Sequence, residues 1–531
     1  MKTSSLKVGN MRYTARVRAT LILAAIYVVT VVASYRPLPI LVYAFPIVGI
    51  FIAVVNLRIG WLTFLTSVLL FDDTPRILGL AQTGSYYSIL HTTVGPFSLV
   101  IYWLFCILFL TVIWWMGENR RRQVFPLDRY MVVLGCLFAF AAAIGIGNVL
   151  DWPRIFITDA GYFINLLVGY LAVTIFFNDM PSVRTLIQVL WMAFVIKIGA
   201  ALYLAAIGFG EPVPGMVRPF FDSSRMLLGA LIVCHSAYLL NVQHRGPREI
   251  LMHGAAIMVV LAVMLLQFTR LHVLLTTVSM LTLILVSGWS TGSRLRSSIL
   301  GLMRVVRRLT PVVIVLSVAV LGTLTLFVRS DSAVAYLVWR MNTMLQVFRE
   351  PGSVGRDVGS TDIRWTSLVN IWHSLSRHGA VLWGTGLAGS FTDDYWRFPE
   401  RLYRERGGPA FSPEEMERGR FVRPHGMPLW VLLKMGVIGL LIYYGTAVLI
   451  FLKGARSAVR IADDFARFLT LGIVSSFPIL FWEMFSTKLQ LLQGVLLGVL
   501  AVIIAANSRT SQRSTPRDRA CEQELQEGLR P

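Results

Sequence analysis

Long apolar runs separated by short, mostly basic turns make up nearly all of this chain. A membrane-crossing helix needs roughly 17 to 25 predominantly apolar residues. Fourteen stretches meet or approach that requirement: 18–35, 38–56, 59–72, 96–116, 130–150, 162–178, 185–207, 226–242, 250–268, 271–288, 311–328, 428–452, 467–485 and 488–507. The third is short and 250–268 runs almost directly into 271–288, so twelve or thirteen spans fit the same pattern. The expected fold is all-α, a polytopic transmembrane helix bundle of about 12–14 spans. One stretch of mixed polarity, 329–427, interrupts the pattern. It divides the chain into an N-terminal bundle (1–328), a large loop (329–427), C-terminal transmembrane helices (428–507) and a polar tail (508–531) expected to be disordered. No repeat of fixed period is visible, nor the paired broken helices in matching halves that a secondary transporter would show.

Composition sharpens this. The chain has 531 residues, 56% hydrophobic and 15% charged, with a mean hydropathy of +0.66. A soluble surface usually needs about 25% charged residues. The net charge of +21 is explained by its placement. Arg58, Arg120, Arg121, Arg122, Arg184, Arg245, Arg248, Arg294, Arg296, Arg304, Arg307, Arg308, Lys453, Arg456 and Arg460 fall in alternate turns. With the N-terminus inside, all lie on the cytoplasmic side, as the positive-inside rule requires. An even count then puts both termini in the cytoplasm. The outer segments are 73–95, 151–161, 208–225, the turn at Thr269-Arg270, and the large loop. The basic start MKTSSLKVGNMRYTARVR lacks an evident small-residue cleavage site and reads as the flank of a retained span. No basic-and-aromatic module points to nucleic acid, so membrane lipids are the expected surroundings and nucleic acid is not an expected partner. Cys106, Cys136 and Cys234 lie in apolar runs and Cys521 in the tail; no spacing suits a disulfide framework or zinc.

The large loop carries the candidate chemistry. Two segments in it have helical spacing, 333–348 and 361–378. In the second, Trp365, Leu368, Val369, Trp372 and Leu375 form an apolar stripe. Ser360 or Thr361 is its candidate N-cap, which puts Arg364 in the first turn. Free N–H groups and a positive dipole end there suit a phosphate, and a guanidinium adds a fork matched to its oxygens. An ordinary surface arginine is the alternative. His425 precedes the span at 428; it can serve as a base near neutral pH or be an interfacial histidine without a role.

The order of these residues resembles a known family. Arg364 is followed by an apolar helix, the turn WGTGLAGSF with Gly384, Gly386 and Gly389, then His425 and, after Gly436, the apolar run of MGVIGLLIYY. This is similar to the core of the O-antigen ligase and O-antigen polymerase superfamily, over roughly residues 205 to 450. Upstream, GEPVPGMVRPFFDSSRMLLGALI resembles the family's outer-loop arginine segment, with Arg218 the better match and Arg225 the second. LLQFTRLHVLL resembles its T-x-S-R stretch, reading Phe268-Thr269-Arg270 without the serine. The resemblance implies a C-type glycosyltransferase architecture in the bacterial inner membrane, with the active site periplasmic. It implies transfer of a glycan from an undecaprenyl-diphosphate carrier to an acceptor sugar hydroxyl, with inversion. The acceptor would be another lipid-linked glycan (a polymerase of O-antigen or exopolysaccharide) or a lipid A-core sugar (a ligase). Arg218, Arg225, Arg270 and Arg364 would bind the diphosphate and His425 would accept or orient the acceptor's proton. No cofactor or metal is implied. Asp393-Asp394 is adjacent rather than spaced for a cation and reads as solvated loop.

Other ionisable positions have two readings each. Lys197, central in 185–207, is the one strong intramembrane charge expected, either functional or else neutralised or paired with a carboxylate on another span. Glu483 could orient His425 or an arginine, or pair with Lys488. Asp72, Asp73, Arg76, Asp151 and Arg154 mark outer helix ends. His235, His253 and His272 occur singly and read as core or helix-end residues. Tyr395, Trp396, Phe398 and Tyr403, set among Arg397, Arg401, Arg404 and Arg406, suit either sugar faces or a membrane interface. A flippase or exporter without catalysis is the competing class; it should instead line many spans with charge.

Overall fold

The computed structural model describes residues 39–71, 93–94, 97–118, 123–206, 211–213, 216–218, 225–241, 246–267, 270–290, 360–404, 411–482 and 487–513. The expected spans 18–35 and 311–328, the segment 333–348, Glu483, Asp72, Asp73 and Arg76 lie outside them. The remaining twelve spans all coincide with helices, and the other regular structure described is two short hairpins. In chain order the helices are α1 (Pro39–Val55), α2 (Leu57–Phe71), α3 (Leu99–Glu118), α4 (Asp128–Ile144), α5 (Pro153–Phe176), α6 (Met180–Ala206), α7 (Arg225–Asn241), α8 (Pro247–Gln267) and α9 (Arg270–Ser290). The large loop contributes α10 (Ser360–Arg377), α11 (Glu400–Arg404) and α12 (Pro413–Arg418), followed by α13 (Met427–Arg460), α14 (Asp464–Ser475), α15 (Phe477–Trp482) and α16 (Thr487–Arg513). The hairpins are β1 (Thr93–Val94) with β2 (Phe97–Ser98), and β3 (Glu211–Val213) with β4 (Met216–Arg218). Among the described residues, six helices are long and apolar enough to cross a membrane.

Two boundaries differ from the sequence reading. The span expected at 162–178 begins at Pro153, whose preset φ suits a first helical turn. Asp159 is therefore inside α5, not in an outer loop. The span expected at 467–485 is two helices that break at Ser476, whose hydroxyl donates to Gly472 O at 2.7 Å. Elsewhere small residues bring helix backbones together. Gly169 and Gly494 let α5 and α16 meet with no room for a Cβ at either position. Gly229 of α7 lies against Thr276 of α9 and Ile479 of α15, so the starts of α7 and α9 are neighbours.

The large loop has a core of its own. Ile363, Ile371, Leu375, Phe391, Phe398, Leu402, Phe411 and Phe421 pack together and onto Leu432 and Leu433 of α13. Phe391 and Phe421 exchange backbone hydrogen bonds of 3.0 and 2.8 Å, which pins the two ends of this core. The face that α10 buries is rotated from the predicted stripe, keeping Leu375 and partly buried Leu368 but not the tryptophans. Ile363, Ser367, Asn370, Ile371, Ser374 and Leu375 point inward, whereas Trp365 and Trp372 are 58% and 50% exposed. Asn370 explains the rotation: its side chain donates to Trp396 O at 2.6 Å and accepts from Trp396 N at 2.9 Å, so a polar residue inside holds the following loop.

The glycine turn joins loop to bundle. Helix α13 is interrupted at Gly436 (φ 67°, ψ −167°). A broken helix inside a bundle leaves backbone groups without partners, which is tolerated only where protein supplies them. Residues 381–386 do so. Thr385 N and its hydroxyl donate to Leu433 O at 2.8 and 2.9 Å, and Gly386 N to Lys434 O at 3.0 Å. Val437 N and Ile438 N donate to Val381 O and Leu382 O at 2.9 and 3.2 Å. On its other side the turn is held by Asn148, which donates to Thr385 O and Leu387 O at 2.9 and 3.0 Å. Gly384 has φ +74°, and a Cβ on it would collide with the Lys434 carbonyl carbon and the Met435 nitrogen. Gly379 has φ +65° and open space around it. Gly379→Ala is expected to cost about 1–2 kcal/mol of backbone strain. Gly384→Ala adds overpacking of about 1–3 kcal/mol. Thermal unfolding in detergent should therefore give the lower midpoint to Gly384→Ala; equal midpoints would show that the turn is free to move away from α13.

Candidate active site

The site lies where the loop core meets the start of α13. Glu415, 1% exposed, organises it. It closes a capping box with Ser412, which starts α12: Ser412 N and Oγ each donate to Glu415 Oε2 at 2.8 Å. Its other oxygen, Oε1, accepts from Val422 N at 2.9 Å and Arg423 N at 3.2 Å. The strand that carries His425 is thus tied to a buried carboxylate two residues before the imidazole. The Ser-x-x-Glu spacing in SPEE was the sequence signal for this cap, and it was missed.

His425 is half-buried and packs edge-on to Phe411, ring centres 5.6 Å apart. Its Nδ1 is buried with no hydrogen-bond partner among the described residues. Burial, and then the positive charge of Arg364, push its pKa down to about 4, with Glu415 opposing. The imidazole is therefore neutral at physiological pH, the form that accepts a proton. The same interaction places Arg364 of α10 within electrostatic reach of His425. Arg364 is the fifth residue of α10, just past its first turn, because the helix already includes Ser360 and Thr361. The capping of this helix start lies outside the described residues.

Two further features at this mouth suit an anion. Helix α13 opens at Gly426 with no side-chain cap hydrogen bond, which leaves the N–H groups of Met427 and Leu429 without a cap, Pro428 having none to offer. Arg423, exposed and two residues before His425, acts electrostatically on Tyr162 and Lys434. Arg423 was not picked out from the sequence, where it is one of many loop arginines. Arg218 ends β4, paired with Glu211 in register, while Arg225 opens α7 and Arg270 opens α9. The side chains of these three lie outside the described part.

Beneath the site is a buried ion pair that the sequence reading overlooked. Lys434 Nζ is 3.2 Å from Asp159 Oδ2, with side chains 0% and 1% exposed. The ammonium also donates to Gly389 O at 2.7 Å. Asp159 accepts from Ala388 N at 2.8 Å and from Trp430 Nε1 at 3.2 Å. Lys197 is thus not the one intramembrane charge. It is itself fully buried and donates to Leu69 O at 3.0 Å, at the end of α2. The general rule that a charge inside a span needs a partner would have singled out Lys434.

Other expectations are corrected by their partners. Asp393 is not merely solvated: it accepts from Phe398 N at 3.0 Å and from the Tyr403 hydroxyl, which raises the Tyr403 pKa together with burial, the larger cause. Phe398 is core, whereas Tyr395 and Trp396 are exposed and Tyr395 stacks on His373 at 4.5 Å. Asp151 pairs with Arg420 at 3.0 Å, linking the start of α5 to the loop. His235 and His253 are not solitary; their Nδ1 atoms lie 2.7 Å apart across α7 and α8. Among the described residues no three His, Cys, Asp or Glu side chains gather where they could hold a metal. No protein-family model matches this chain, and no curated protein matches it.

Proposed function

We propose that the protein is an integral inner-membrane glycosyltransferase that moves a glycan from an undecaprenyl-diphosphate carrier to an acceptor sugar hydroxyl at the periplasmic face. The observation that carries the reading is the neutral imidazole of half-buried His425, electrostatically coupled to Arg364, beside a start of α13 that has no side-chain cap. Arg364, Arg423 and the α13 N–H groups would hold the diphosphate and stabilise charge on it as it leaves. His425 would take the proton from the acceptor hydroxyl while that oxygen attacks the anomeric carbon and the carbon–oxygen bond to the diphosphate breaks. Arg218, Arg225 and Arg270 would extend the cationic side of the site, as the family resemblance implies. The acceptor is a second lipid-linked glycan in a polymerase or a lipid A-core sugar in a ligase. Exposed Tyr395 and Trp396, close to α10, offer ring faces to a sugar.

Buried charges inside a bundle are also what a flippase would use. Lys434 and Asp159, however, are closed against each other and the loop backbone, which favours a clamp over a pathway. The test uses purified full-length protein in detergent with extracted lipid-linked oligosaccharide. Transfer to a second lipid-linked chain, seen as a product ladder, or to lipid A-core, seen as a single shift, is the expected outcome. No transfer, together with movement of the donor across liposomes, would replace the enzyme with a flippase.

A further inference from the structure

At the end of α13 remote from His425, a cavity of about 670 Å³ opens between α4, α13 and α16. Its cations are Arg129 of α4 and Lys453, Arg456 and Arg460 of α13, and no carboxylate lines it. Among the described residues none of the four is in an ion pair. Asp128, next to Arg129, turns its oxygens to Phe125 N and the Tyr170 hydroxyl, at 2.8 Å each.

Helix electrostatics account for only half of this charge. Arg456 and Arg460 sit in the last turns of α13, where a cation complements the dipole. Arg129 is the second residue of α4, the end at which a cation is disfavoured. It is nevertheless fixed there, donating to the Tyr130 hydroxyl at 2.7 Å with its guanidinium 4.7 Å from the Tyr130 ring centre. Lys453 lies 5.8 Å from the centre of that ring and donates to Pro126 O at 2.9 Å. Two cations on different helices are thus held around one tyrosine without an acid between them. Among the described residues no acid answers these cations, and such an arrangement suits an anion.

The remaining walls say which kind. Leu449, Leu452 and Ile504 line the cavity beside the cations, and Leu449 is 52% exposed on the outer surface of α13. Ser457 and Ser508 add hydroxyls at the cationic end. The cavity lies at the ends of the apolar stretches of α13 and α16, where the phosphates of a surrounding bilayer would lie. We infer that this cavity binds the phosphodiester headgroup of an acidic phospholipid, with the acyl chains leaving along Leu449 and Leu452. The inference does not depend on the glycosyltransferase reading.

Native mass spectrometry of the full-length protein in detergent tests it, with phosphatidylglycerol and phosphatidylcholine titrated separately. Wild type is expected to hold phosphatidylglycerol roughly tenfold more tightly, and Arg129→Gln/Lys453→Gln to lose most of that preference. Arg154→Gln, an exposed arginine on α5 outside the cavity, should keep it. The single variant Arg129→Gln, at an exposed position, gives the same comparison if the double variant elutes as aggregate. Equal binding of the two lipids by wild type, or an undiminished preference in the variants, overturns the inference. If millimolar inorganic phosphate displaces phosphatidylglycerol, the site belongs to free phosphate and the lipid assignment is overturned.

Discussion

Methionine in place of Lys434 is expected to destabilise the protein by about 3–5 kcal/mol, the usual cost of removing one partner from a buried ion pair. The side chain is of similar length, so the effect is electrostatic. Asp159 keeps the Ala388 and Trp430 donors but loses its cation, and Gly389 O loses the hydrogen bond from Lys434 Nζ. Asp159→Asn should also destabilise, because it leaves an uncompensated ammonium between α5 and α13. Combining the two removes both charges and keeps an oxygen facing Ala388 N. The double variant should therefore cost less than the sum of the single changes, by about 2–3 kcal/mol for groups in direct contact. Equilibrium unfolding of the four proteins in mixed detergent measures this. Additive costs would mean that the two groups do not act as a pair.

The same pair shows where a sequence stops being readable. The spans were legible because an apolar window of sufficient length has few alternatives, and the described helices fall where those windows do. Lys434 sits in WVLLKMGVIGLL, a run whose overall hydropathy hides a single charge, and its partner lies on a helix far earlier in the chain. Asp159 was assigned to a loop because the apolar count begins after it, although Pro153 already marked a helix start. Tertiary contacts decided the phase of α10 as well. Trp365 and Trp372 fall on the apolar stripe by spacing, but a side chain with one polar atom and a large ring also suits an exposed membrane-surface position. Arg364 and His425 were legible as candidates; their convergence was not, because it depends on Glu415 fixing the strand at 422–423 and on the Phe411 packing beside the imidazole.

That convergence sets the second large effect. His425→Ala should lower the transfer rate by about 10²–10⁴-fold, the range for a lost general base, while folding is nearly unchanged. Stability should survive because the buried Nδ1 has no partner among the described residues to lose. Arg364→Gln should lower transfer by about 10²–10³-fold through loss of charge stabilisation on the leaving diphosphate. It has a second consequence that a purely structural arginine would not. In the wild type the imidazole must be neutral to accept a proton, and burial with Arg364 holds its pKa at about 4. The free enzyme, read by kcat/KM, should therefore stay active as pH falls and lose activity only near that value. Taking the positive charge from position 364 raises the imidazole pKa toward its usual range, so the acid limb of the remaining activity should move toward neutral pH. A bound diphosphate supplies opposing charge and acts in the same direction, so the kcat profile of the wild type should fall at higher pH than its kcat/KM profile. An acid limb that stays in place in Arg364→Gln would separate the two residues and leave His425 without its proposed neighbour.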